Sequence, residues 1–223
     1  MANGRTAVHT TGHTTGHTSV LAIRHGESEW NAVGRWQGQA DPPLTDAGML
    51  QAVAAAKVLG TFDGIYASSL QRAADTAAII AESIGVGPVQ LMDDLMENAF
   101  GPWQGLTIHE IEEQWPGYLA EHRRPEGAEP TADVLARGLR ALRTIAAELP
   151  GQQALVITHA GLMRTLHREL LVNNSRRLKA GDDQASLRFA NLGGCWFHVF
   201  EGGNVEVGEV VSLIDPQAFG DTL

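Results

Sequence analysis

Three short segments of the chain place reactive side chains directly after apolar runs. In the first, Val20 to Ile23 stops abruptly at Arg24, His25 and Gly26, inside RHGESEWN at 24–31. A histidine held on a short loop after a buried strand can present a neutral ring nitrogen, a competent nucleophile toward phosphorus. The neighbouring arginine supplies a planar donor fork that matches phosphate oxygens. Gly26 permits close backbone approach, and Asn31 adds an amide donor. In the second segment, SSLQRAADTA at 68–77, Arg72 falls in the first turn of a helix. The macrodipole disfavours a cation there, and an anion between Arg72 and the helix N–H groups removes the conflict; a surface salt bridge is the competing reading. In the third, VITHAGLMR at 156–164, His159 lies between a strand and a helix. Its ring either faces the same crevice as His25 or is a satisfied core histidine.

The elements that position these groups follow from periodicity and end signals. The apolar runs from Ser19 to Ile23, Gly64 to Ala67 and Ala154 to Thr158 read as short buried strands. Helices are predicted from Thr45, as N-cap, to Gly60, with a stripe through Met49, Ala52, Ala56 and Leu59. Another follows Ser68 or Ser69 as cap, carries Ala73, Ala77, Ile80 and Ile84 on one face and ends at Gly85. Further helices are expected over Thr131 to Leu149 and Leu162 to Leu171, and shorter ones over Thr107 to Gln114 and Tyr118 to His122 within a Gly-, Pro- and Trp-containing excursion. Cys195 to Phe200 and Val205 to Ile214 form a β-hairpin about Glu201 to Asn204. Alternating strands and helices predict one α/β domain over 19–223: a three-layer α/β/α sandwich with a mostly parallel central sheet and a C-terminal hairpin. Ligands collect at the carboxyl ends of such strands, and here those ends carry Arg24, His25, Ser68, Ser69 and His159.

Composition narrows the function classes. The 223 residues carry 16 basic and 26 acidic side chains, a formal charge of −10. That balance speaks against a general electrostatic grip on nucleic acid or an anionic membrane, so any anionic ligand must be caught by local geometry. The one cysteine, Cys195, permits no intramolecular disulfide or thiolate-rich zinc site and fits a cytoplasmic protein. The first 18 residues lack the apolar run of a secretory signal, and no stretch approaches the roughly 18 apolar residues of a membrane span. Their repeat TTGHTTGHT sets His9, His13 and His17 four apart, but the intervening Thr and Gly disfavour the helix that would align them. Residues 1–18 are therefore read as a flexible leader, with no metal site.

LAIRHGESEWN at 21–31, GQADPPLTDAGMLQA at 38–52, IYASSLQRAADTA at 65–77, LMENAFGPWQGLT at 95–107 and LVITHAGLMR at 155–164 together resemble the histidine phosphatase superfamily, in its phosphoglycerate mutase-like branch. The resemblance implies that His25 is the nucleophile that becomes phosphohistidine. It implies that Arg24, Arg72 and His159 bind the transferring phosphoryl group, and that Glu97 is the general acid for the leaving oxygen and then the base for water. Asn31, Gln37, Gly38 and Ala160 fall at the substrate, and no cofactor or metal is implied. Gln104 stands where many relatives have Glu, Ala160 where Gly is commoner, and the carry-over to Glu129 is interrupted by Pro130.

Mutases of that branch use a basic insert between the acid and the second histidine. Here only about 60 residues separate Glu97 from His159, with Arg123 and Arg124 the sole adjacent basic pair. The expectation is therefore a phosphatase acting on a small phosphorylated metabolite, with mutase-type transfer as the alternative and a non-catalytic phospho-ligand module behind it. Trp36, Gln37, Trp103, Trp115 and Tyr118 either line the pocket mouth or pack. The C-terminal hairpin either completes the sheet or offers an edge for a homodimer.

Overall fold

The computed structural model describes residues 16–173 and 188–215. Its centre is a six-stranded sheet of β1 (His17–Arg24), β2 (Gly64–Ser68), β3 (Gln90–Met92), β4 (Gln153–Thr158), β5 (Gly193–Phe200) and β6 (Val205–Ser212), in the order β3-β2-β4-β1-β5-β6. The first four strands in that order run parallel, and β5 joins β1 antiparallel before turning into β6. The predicted mostly parallel sheet and terminal hairpin are both present. The three-residue edge strand β3 was not foreseen, being too short to show a period.

Side chains in β1 alternate between two cores, as the pleat requires. Val20 and Ala22 face one side with Val156, Leu142, Ile145 and Leu162, whereas Leu21 and Ile23 face the other with Ile65, Ile157, Ala77 and Ile80. Burial on both faces explains why the strand reads as an unbroken apolar run. Helices α5 (Thr131–Glu148) and α6 (Ala160–Asn173) cover the first face, and α2 (Asp46–Ala56) and α3 (Gln71–Ile84) the second, completing three layers. Two short helices, α1 (Glu29–Ala32) and α4 (Ile108–Gln114), belong to the loops above the strand ends. Tyr118 to His122 forms turns rather than the expected helix, with His122 at a positive φ of 54°.

Several boundaries differ for identifiable reasons. His17 and Thr18, assigned to the leader by sequence, belong to β1: they pair with Phe200 and Val199 of β5, and the Thr18 hydroxyl donates to the Leu149 carbonyl at 2.8 Å. His9 and His13 lie outside the described residues. Neither Ser68 nor Ser69 caps α3, whose N-cap is Leu70. Thr45 does cap α2, accepting from Gly48 N at 3.0 Å, but the helix ends at Ala56 and buries Gly48, Gln51, Ala52, Ala55 and Ala56, leaving Met49 exposed. Helix α2 is apolar almost all round, so its pattern carries no phase. Contact with the loop after β1 sets it: a methyl group on Gly48 would overlap the Glu27 carbonyl oxygen and lie 2.8 Å from Glu27 N.

That contact makes Gly48 a packing requirement of the His25 loop. Replacing it with alanine forces the loop and α2 apart, at an overpacking cost of about 1–3 kcal/mol. Gly48→Ala is expected to lower Tm by roughly 2–4 °C for each kcal/mol lost. Scanning calorimetry showing an unchanged Tm would contradict this packing account.

Candidate active site

The parallel strands end level with one another, Ala67 and Ile23 both opposite Ile157 and Arg24 opposite Thr158. Ser68, Arg24, His25 and His159 therefore emerge at one edge of the sheet. Above them opens a cleft of about 740 Å³, lined among others by Arg24, His25, Asn31, Gln37, Gly38, Arg72, Glu97 and Ala160. The size suits a small-molecule ligand. The sequence-selected residues thus line one cleft, except His159, which is buried beside His25 with ring centroids 5.1 Å apart.

Two contacts fix the His25 tautomer. Its Nδ1 lies 2.6 Å from the Gly26 carbonyl oxygen, which can only accept, so Nδ1 carries the hydrogen. Nε2 then holds a lone pair, and Arg72 Nε–H donates to it at 3.2 Å. Burial, followed by the positive charges of Arg72 and Arg24, holds His25 well below the usual imidazole range. A neutral ring with its lone pair directed into the site is what nucleophilic attack requires. The buried Arg72 guanidinium also donates to the carbonyls of Gly38 at 2.8 Å and Ala40 at 2.7 Å, with Asp41 3.8 Å away. Burial lowers Arg72 to about 10, opposed by Glu97 and Asp41; Arg24 is lowered to about 10 by burial and then by Arg164. Both remain cationic at neutral pH.

His159 is positioned by Ser68, whose Oγ lies 2.8 Å from Nε2. The Ser68 oxygen also accepts from Leu70 N at 3.2 Å and keeps both a proton and a second lone pair for Nε2, so this contact holds the ring in either tautomer. The His159 Nδ1 is buried and has no hydrogen-bond partner. Burial, Arg72 and His25 lower His159 well below the usual range as well.

Glu97 arrives from the excursion rather than from a strand end. Its carboxylate lies across the start of α6, accepting from Gly161 N at 2.9 Å and Leu162 N at 3.1 Å, and also from Asn98 N at 2.8 Å. Gly161 is needed for this approach, because a Cβ there would sit 2.9 Å from Glu97 Cδ and closer still to Oε1. Behind the segment, Arg137 of α5 donates to the carbonyls of Asp94, Met96 and Glu97 and forms a two-point pair with Glu129, at 2.7 and 3.0 Å. Glu129 therefore has a positioning contact despite the altered motif around it. Gln104 fills the place of the commoner Glu by accepting from Gln39 N and Ala40 N at 3.1 and 3.0 Å, which needs an oxygen and no charge.

The remaining candidates divide. Asn31 Oδ1 closes a capping box with Ser28 N at 3.3 Å and faces Asn191, whose Nδ2 donates to the His25 carbonyl at 2.9 Å. Asn191 lines the cleft and was not selected from sequence, where a lone Asn before a Gly pair reads as a turn. Trp36 lines the cleft and packs on Phe100, whereas Trp103 is buried behind it against Trp115 and Tyr118. Arg123 stacks on Tyr118 and pairs with Glu121, away from the cleft lining.

Comparison with known proteins agrees with this geometry. The family model of the histidine phosphatase superfamily (branch 1) matches residues 20–197. The chain belongs to that superfamily. It is 37% identical over 158 residues to a metal-independent phosphoserine phosphatase of Arabidopsis thaliana, covering 66% of each chain. It is 33% identical over 196 residues to glucosyl-3-phosphoglycerate phosphatase of Mycobacterium tuberculosis, covering 79% of this chain and 86% of the relative. Its fold superposes on a mycobacterial glucosyl-3-phosphoglycerate phosphatase complexed with VO3 with a TM-score of 0.73 at 29% identity, over 85% of this chain and 96% of the other. Membership of the superfamily accounts for the order of the five quoted segments and for the mixed sheet.

The two lowered histidines link stability to pH. Each is neutral when folded but protonates near pH 6.5 when unfolded, so the unfolded chain binds more protons once pH falls below that value. Stability should therefore decline as pH is lowered from about 6.5 toward the folded values. A His25→Asn, His159→Asn double variant should lose less Tm than the parent between pH 7 and pH 5. Equal losses in a thermal-shift titration would contradict the assignment of two neutral buried rings.

Proposed function

We propose that the protein is a metal-independent phosphomonoesterase that hydrolyses small phosphate esters through a phosphohistidine on His25. The observation that carries this reading is the His25 Nε2 lone pair held between the Gly26 carbonyl on one side of the ring and the Arg72 guanidinium on the other. His25 Nε2 attacks phosphorus, the bond from phosphorus to the ester oxygen breaks, and Glu97 passes a proton to the departing alcohol. Glu97 then takes a proton from water as its oxygen attacks the phosphohistidine, and inorganic phosphate leaves. Arg24, Arg72 and His159, which in this reading carries its ring hydrogen on the unpartnered Nδ1, meet the equatorial oxygens, where charge accumulates in the transition state. A phosphoryl oxygen at His159 Nδ1 also removes the cost of a buried unpaired donor, about 1–3 kcal/mol.

Release to water rather than transfer to a second substrate is supported by the short span between Glu97 and His159 and by the phosphatase names of the relatives. The two names share a chemistry: phosphoserine and glucosyl-3-phosphoglycerate are both phosphate esters of hydroxy acids. Asn31, Gln37, Gly38 and Ala160 are the substrate contacts in this reading, with nucleic acid and membrane excluded as partners. No helix among the described residues is long and apolar enough to cross a membrane. A cytoplasmic setting is supported by the one buried cysteine, and a homodimer by Leu50 and Val53, which α2 leaves exposed.

Hydrolysis of p-nitrophenyl phosphate should persist with excess chelator, and His25→Ala should abolish it while circular dichroism stays unchanged. Glu97→Gln should slow alkyl phosphates about 10²- to 10⁴-fold and aryl phosphates markedly less, since aryloxide leaves with little need of a proton. Equal losses on the two ester types would remove Glu97 from the acid role. Absence of both turnover and trapped phosphohistidine would reject the enzyme.

A further inference from the structure

The cleft carries more positive charge than one phosphoryl group requires. Besides Arg24 and Arg72, three other arginines line it: Arg35, Arg164 from the second turn of α6, and Arg188. Arg35 is neutralised by Glu110 at 2.9 Å. Arg164 and Arg188 form no ion pair with a carboxylate among the described residues, although the ion pairs of six other arginines are present there. Arg164 instead lies near two further cations, Arg24 and the half-buried Arg124; burial lowers both, the charge of Arg164 adds to it, and Glu97 opposes it. Concentrating like charges at one mouth of a chain with a net charge of −10 is unfavourable until an anion enters.

Position separates these two arginines from the phosphoryl machinery. His25, Arg72 and His159 are buried, whereas Arg164 and Arg188 are exposed and line the same cleft. Trp36, Phe100 and Ile108 also line the cleft and offer apolar surface to a short carbon skeleton. We infer that Arg164 and Arg188 form a second anion subsite that selects phosphate monoesters whose alcohol carries a carboxylate. Guanidinium forks bind carboxylates in two-point, charge-assisted contacts, which suits this role better than a solvated ammonium would. The inference rests on the phosphomonoesterase reading and assigns its substrate class.

The test uses paired esters and the full chain. O-phosphoserine differs from O-phosphoethanolamine only by a carboxylate, and 3-phosphoglycerate from glycerol 3-phosphate by a carboxylate in place of a hydroxymethyl group. The carboxylated member of each pair should show at least a tenfold higher kcat/KM, expressed mainly in KM. In an Arg164→Gln, Arg188→Gln double variant that ratio should fall to within about twofold of one. Equal kcat/KM within the pairs, or a double variant that loses both members equally, overturns the subsite. A propane-1,3-diol bisphosphate outrunning both carboxylated esters reassigns it to phosphate and overturns the carboxylate preference. Calorimetric binding of the same esters to His25→Ala makes the comparison without turnover: a carboxylate preference there with no hydrolysis by the parent would reject the phosphatase and keep the subsite, while equal binding would reject the subsite alone.

Discussion

A buried guanidinium governs the site. Arg72 is 1% exposed and sits at the floor of the cleft, where an uncompensated charge would cost several kcal/mol. Its compensation comes from neutral groups for the most part: two carbonyls, of Gly38 and Ala40, and the lone pair of His25. Each partner must then be brought in from a different part of the chain. The 38–41 loop is pulled over the helix start of α3, Gln104 reaches across to hold that loop by its N–H groups, and the segment after β1 is packed against Gly48. Burial, and then the same charge, keep His25 unprotonated, so the requirement that orders the loops also prepares the proposed nucleophile.

A second set of contacts brings the carboxylate to this floor. Glu97 is pinned in front by the first N–H groups of α6 and behind by Arg137, which grips three successive parts of its segment while locked to Glu129. Thr158, at the end of β4, adds a 2.6 Å bond from its hydroxyl to the Leu95 carbonyl. His25 is thus held chiefly by the loops around α3 and the carboxylate chiefly by α5 and α6, and Gln39 Nε2 ties the two by donating to the Glu97 carbonyl at 3.1 Å. Their meeting point is the level edge of the sheet.

How much of this could be read from the sequence depends on whether a feature is local. The ends of β1 and β4 were legible because strands buried on both faces give continuous apolar runs, and a run that stops at Arg-His or His marks a functional edge. Arg72 was legible because a cation in a first helical turn is out of place. The carboxylate was not legible in this way: Glu97 is one of 26 acidic residues, and only the resemblance selected it, since its position depends on α6 and Arg137, distant in sequence. Ser68 was noted at a strand end and read as a possible helix cap, not as the partner of His159, which is 91 residues away. The phase of α2 was unreadable for a different reason, an excess of apolar residues rather than a lack of them. Arg164 lay inside a quoted segment yet reads by itself as an ordinary solvated charge.

Helix α6 joins several of these features in one rigid body. Its first turn receives Glu97, and Arg164 and Arg168 follow at successive four-residue steps, each about 6 Å further along the axis. Distances between the reacting floor and charges on that helix are therefore set by helical rise, not by how a loop settles. If Arg164 meets the substrate as proposed, the helix works as a graduated rule laid against it. On that proposal, moving a basic residue by one turn would change the length of acid that is measured while leaving the chemistry at the zero mark untouched.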